Sequence, residues 1–137
     1  MIRKPQNYKK TYVRKATYGL EFLDSVEMHH TKDDTITLDG DVIKLGSDRY
    51  KTFKSSGTKC VECGIEGEFF AKEMFRRGSD TKSYHMNLYA IDENGNEVLM
   101  TKDHIVPKIK GGPNHVSNYQ TMCTGCNREK GSTLKTE

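Results

Sequence analysis

The sequence predicts a small α+β domain stapled by a four-cysteine zinc site, with an N-terminal extension made of a β-hairpin and a short helix. Three observations lead there. Short runs of alternating apolar and polar residues are broken by Asp39-Gly40 and Asn94-Gly95, dipeptides suited to tight hairpin turns. The four cysteines fall into two pairs of identical spacing, Cys60-x2-Cys63 and Cys123-x2-Cys126. Apolar residues make up only 34% of the 137, with no Trp, and so lean a core calls for a staple, of which a bound metal is a common kind.

The elements follow in chain order. Residues 1–16 read as an irregular basic arm whose Tyr8 and Tyr12 either stack on bases or pack locally. Residues 35–45 alternate about Asp39-Gly40 and read as a hairpin. Ser47 is placed to cap a helix running to about Ser55 and ended by Gly57. Cys60 to Gly64 form a tight thiolate turn, a zinc knuckle. Residues 67–76 are a strand with Phe69, Phe70, Met74 and Phe75 as its apolar candidates, broken by Gly78-Ser79-Asp80. Residues 84–91 are the next strand, Asp92 to Asn96 a turn, and Glu97 to Ile105 a returning strand that delivers Asp103-His104. A loop follows from Pro107 through Gly111-Gly112-Pro113, then a short irregular or helical turn over Asn118 to Cys123. A last short helix begins near Cys123–Cys126 and ends at Gly131. The chain divides into an arm and accessory hairpin region, 1–58, and a zinc-bearing domain, 59–137.

Composition narrows the function classes. No run of apolar residues is long enough to span a bilayer. Met1-Ile2-Arg3-Lys4-Pro5 lacks an apolar signal core, so a cytoplasmic protein is expected. In that compartment four thiols favour metal over disulfides. The net charge is only +3, but it is unevenly spread. Residues 1–20 hold six Lys/Arg and no acid, and residues 101–137 hold six against three acids. Two basic segments around a neutral or acidic middle suit phosphate contacts.

Two residues between thiolates put both sulfurs on one side of a turn, and two such pairs complete a closed four-sulfur zinc shell of Cys60, Cys63, Cys123 and Cys126. Fifty-nine residues separate the pairs, so the segment between must fold and return to the same point.

The strings Asp103-His104-Ile105-Val106-Pro107, Gly111-Gly112, Asn118-Tyr119-Gln120 and Cys123-x2-Cys126-Asn127-x2-Lys130-Gly131 resemble the HNH endonuclease family, in its phage and bacterial type with flanking zinc knuckles. The first string is also similar to the HNH domain of RNA-guided CRISPR nucleases. The resemblance covers residues 60–137 and is densest over 100–131. It implies a ββα-metal (His-Me finger) core in which two antiparallel strands and a helix hold one divalent cation against the scissile phosphate of DNA. His104 matches the general base, Asp103 a ligand of the catalytic metal, and Asn118 the central Asn that holds the loop and orients the His. Asn127 stands where the last His often stands, which makes this an H-N-N variant with an amide oxygen as metal ligand.

Elementary chemistry agrees. Hydrolysis at phosphorus needs an activated water and charge neutralisation on the phosphate. Histidine exchanges a proton near neutral pH, and adjacent strand residues face opposite ways, so Asp103 and His104 can act on different objects. Two hard oxygen donors favour Mg²⁺, with Mn²⁺ as a substitute. Lys108, Lys110, Arg128 and Lys130 are candidates for phosphate contact, although a solvated helix face equally accounts for the last two. His85, at the start of the preceding strand, is a candidate helper of the site, or simply packed. The alternatives to an enzyme acting alone are a zinc-stapled nucleic-acid-binding module and an accessory subunit active only with a partner, such as phage packaging machinery or a restriction complex. One such site cuts one strand, so a double-strand break calls for a homodimer or two nicks.

Overall fold

The computed structural model describes residues 11–76 and 83–131. Seven strands and two α-helices run in the order β1 (Tyr12–Tyr18), β2 (Thr35–Leu38), β3 (Asp41–Lys44), α1 (Asp48–Ser56), β4 (Gly67–Phe75), β5 (His85–Ile91), β6 (Glu97–His104), β7 (Tyr119–Cys123) and α2 (Thr124–Lys130). Five of the strands form one antiparallel sheet in the order β1-β4-β5-β6-β7, and β2 with β3 forms a separate hairpin. The mixed α+β class expected from the sequence is what the chain adopts.

The hairpin turns at Asp39 and Gly40, both with positive φ (50° and 87°), as a tight turn of this hand demands. Ser47 caps α1 by accepting from the Arg49 amide at 3.2 Å, and Gly57 ends it at φ 92°. Tyr50 and Phe53, one helical turn apart, are both buried. They join Phe22, Val26, Phe70, Met86, Leu88, Met100 and Met122 in one core, which also takes in Cys60, Cys123 and Cys126. Both cysteine pairs are therefore anchored in the core, and α1 lies against β6 and β7.

Two expectations need correction. Residues 12–16 are not an irregular arm; they belong to β1, which pairs with β4 from Tyr12↔Phe75 to Tyr18↔Phe70. The basic residues there are engaged within the protein. Arg14 bonds Glu73 at 2.7 Å and spans both oxygens of Glu97, while Lys15 pairs with Asp41 at 2.7 Å. Tyr12 packs its ring 5.0 Å from Phe75. Tyr8 and the break at Gly78-Ser79-Asp80 lie outside the described residues. The second correction is Asn118–Cys123, expected to be irregular or helical. A 3₁₀ turn occupies Val116–Asn118, but Tyr119–Cys123 is strand β7, paired with β6 from Met100↔Cys123 to His104↔Tyr119. Four of its five residues are buried, so the strand lacks the alternation that marks a half-exposed one.

Strand β6 changes partners along its length. Its first residues pair with β5, as Ile91↔Glu97 and Tyr89↔Leu99, and its last five pair with β7. The strand thus carries Asp103 and His104 beyond β5, toward the loop and the final helix.

Candidate active site

The four cysteine sulfurs all lie within 4.8 Å of one another. Cys63 and Cys123 are 3.8 Å apart, which matches the edge of about 3.8 Å in a tetrahedron of sulfurs around zinc at about 2.3 Å and is far too long for a disulfide. The first knuckle closes through Gly64, whose amide donates to the Cys60 carbonyl at φ 81°. It is held to β7 by the Val61 amide donating to the Thr121 carbonyl at 3.0 Å. In the second knuckle Cys123 caps α2 through its own sulfur, which accepts from the Cys126 amide.

The thiols are not equivalent. Burial works to raise Cys60, but amides of Cys63, Cys123 and Glu62 outweigh it and hold the thiol down at about 7. Burial pushes Cys123 and Cys126 up, and neighbouring sulfurs push Cys126 further. A shell of four thiolates therefore wants a cation at its centre, and the donor set fits structural zinc.

On the other flank of α2 lies a cleft of about 380 Å³ lined by Lys102, Asp103, His104, Pro107, Lys108, Ile109, Asn127, Lys130 and Gly131. Asp103, His104 and Asn127 meet here, the first two from the end of β6 and the third from α2. Asp103 is buried at 6% exposure. Its Oδ2 accepts from Gln120 Nε2 at 3.0 Å and pairs with Lys130 Nζ at 2.9 Å. Asn127 donates Nδ2 to Thr101 Oγ1 at 2.9 Å, and because that hydroxyl donates its own hydrogen to the Met122 carbonyl at 2.8 Å, the other end of the amide is the oxygen. The Asp103 carboxylate and the Asn127 amide oxygen make a hard donor set on one cleft, suited to Mg²⁺ or Mn²⁺.

His104 packs its ring edge-on to Tyr119, centroids 4.9 Å apart, and its Nε2 meets Asn114 Oδ1 at 2.8 Å. An amide oxygen only accepts. In the tautomer with its proton on Nε2 this contact is a hydrogen bond, and Nδ1 then keeps its lone pair.

Asn118 holds the loop between β6 and β7. Its Oδ1 accepts from the Val106 amide at 2.9 Å, and its Nδ2 donates to the Val106 and Pro113 carbonyls, each at 3.0 Å. Its own carbonyl accepts from Ile105 at 2.7 Å. Gly112 fits into the same knot. A Cβ there would sit 1.7 Å from the Val106 carbonyl oxygen and 2.9 Å from Asn118 Nδ2. Gly112→Ala is therefore expected to lower stability by about 1–3 kcal/mol or more and to loosen the loop that carries Asn114. Denaturant melts read the first effect, and an unchanged midpoint would argue that the loop yields freely.

The remaining candidates are scattered. Lys108 lines the cleft, whereas Lys110 and Arg128 are exposed and are not among its lining residues. His85 is not among them either; its ring centroid is 6.1 Å from that of Phe75. His115 is exposed and caps the 3₁₀ turn by accepting from the Ser117 amide. Lys130 is 3% exposed, so it sits on no solvated face. Sequence reasoning passed over Asn114, Thr101 and the buried placement of Lys130. None carries a local signal, because each acquires its role from a partner on another element.

Residues 92–137 match the profile of an HNH endonuclease family. Over this segment the chain is similar to the HNH endonucleases. The HNH match begins at the turn before β6 and takes in β6, β7 and α2, hence the cleft and the second cysteine pair, while Cys60 and Cys63 precede it. No curated protein and no solved structure matches the chain. No helix among the described residues is long and apolar enough to cross a membrane.

Proposed function

We propose that this protein is a divalent-metal-dependent endonuclease that hydrolyses phosphodiester bonds of DNA. The reading rests on one observation above the others: Asp103, His104 and Asn127 converge on a single cleft within the HNH segment. Asp103 and Asn127 would hold Mg²⁺ or Mn²⁺, and such a cation, when bound, offsets charge on the phosphate.

The chain's own residues do the rest. His104 Nδ1 takes the proton of the attacking water as its oxygen bonds to phosphorus and the bond to the leaving oxygen breaks. Asn114 keeps the other imidazole nitrogen protonated, so that Nδ1 is the basic end. Asn118 fixes the loop on which Asn114 stands. Lys102 and Lys108, on the rim, meet the backbone phosphates. A single copy of the chain brings one Asp103, His104 and Asn127 set to the cleft, so the immediate product is a nick.

The test is a supercoiled-plasmid assay with zinc-loaded protein in Mg²⁺ or Mn²⁺, with metal-free and His104→Ala controls. Metal-dependent conversion to the nicked form, lost in the variant, is the expected result. No cleavage by folded, zinc-loaded protein would turn the reading toward a binding module or a partner-dependent subunit. Asn114→Ala should slow cleavage about tenfold, and Asn114→Asp, which keeps an acceptor, should restore most of it. Equal rates in all three proteins would remove Asn114 from the mechanism.

A further inference from the structure

Lys130 is the least expected feature of the cleft. A lysine is rarely buried to this degree unless paired, and this one is 3% exposed. Its ammonium donates to the His104 carbonyl at 2.6 Å and pairs with Asp103 Oδ2 at 2.9 Å. Gln120 takes the same carboxylate oxygen from another side. Among the described residues no donor engages Oδ1. The Asp103 carboxylate is thus divided: one oxygen is held by the protein and the other remains for a ligand.

We propose that Lys130 is a resident counter-ion for Asp103, which holds the carboxylate in place in the ion-free protein and thereby sets how tightly a divalent cation can bind. The proposal rests on reading Asp103 as a metal ligand. A buried carboxylate deprived of its partner is strongly destabilising. Lys130 removes that burden before any metal arrives. The same positive charge sits on the oxygen next to the one a divalent cation would use, and repels that cation. Lys130 therefore makes the ion-free cleft stable at the expense of metal affinity. It also ties the carboxylate to the strand end that carries His104, so the metal ligand and the base keep their relation when the cleft is empty. Burial leaves it unable to reach out to a phosphate, which separates it from Lys102 and Lys108 on the rim.

The test measures Mn²⁺ binding to the zinc-loaded full chain by calorimetry, together with Tm in the presence and absence of Mn²⁺. Lys130→Met should lower the Tm of the Mn²⁺-free protein. It should also raise the Mn²⁺-induced gain in Tm by more than about 5 °C over the native gain and tighten the Mn²⁺ dissociation constant on the order of tenfold. The double variant Asp103→Asn with Lys130→Met should regain Tm and lose the Mn²⁺ response. If Lys130→Met folds only with Mn²⁺ present, the expected coupling is seen in stronger form, and Lys130→Gln, which keeps a donor and drops the charge, supplies the affinity. An affinity and a Tm gain equal to native, or weaker Mn²⁺ binding in both uncharged variants, overturns the counter-ion role while leaving the nuclease reading intact. Native protein that binds no Mn²⁺ overturns both.

Discussion

Stripping zinc, or replacing Cys123 by serine, is expected to unfold the C-terminal half of the protein. Structural zinc sites bind with about 10–16 kcal/mol at neutral pH, and a domain of this size has a total stability of about 5–15 kcal/mol. Loss of the ion alone can therefore exceed what the rest of the fold supplies. The geometry says where the damage falls. Cys123 ends β7 and caps α2, and the knuckle at Cys60 is joined to β7 by Val61 and Thr121. Without a cation, the thiols of Cys123 and Cys126 revert to their neutral forms, which burial already favours. Circular dichroism in the far and near ultraviolet follows the loss directly. Native-like spectra from zinc-free protein at ordinary temperature would mean that the core carries the fold unaided.

His104→Ala is expected to cut the rate of metal-dependent plasmid nicking by about 10²–10⁴-fold, the usual contribution of a positioned general base. The fold should survive, because the ring is only partly buried and its contacts are Tyr119 and Asn114. Zinc content and melting temperature measured alongside separate this outcome from collapse of the knuckles. EDTA alone does not make that separation, since it removes structural and catalytic ions together. A variant that folds, holds zinc and nicks at the native rate would dismiss His104 as the base.

Much of the molecule was legible from residue order. The hairpin at Asp39-Gly40, the helix capped by Ser47, β4 to β6 and the final helix all carry their own local signals, and the cysteine spacing announced the cluster. What escaped was long-range. In β1 the exposed side of the strand alternates properly, but Arg14 and Lys15 look like a basic arm until Glu73, Glu97 and Asp41 are brought to them. In β7 burial on both faces removes the alternation by which a strand is recognised. Lys130 reads as a surface residue on a short polar helix, because its partner Asp103 stands across the turn of the chain on β6. Asn114 is an ordinary loop asparagine until His104 arrives. Ionic and hydrogen-bond partnerships between distant segments leave no periodic trace.

The two cysteine pairs lie 59 residues apart in the chain, and the second pair opens the helix that carries Asn127 and Lys130. This fixes an order of events during synthesis. A nascent chain ended anywhere between residues 64 and 122 has one pair of thiols, no closed metal shell, and neither α2 nor the far wall of the cleft. The long-range closure is a late step, and it completes the staple and the cleft together. Partial products of translation thus lack the four-sulfur cluster and the cleft alike, and both arrive with the same stretch of residues.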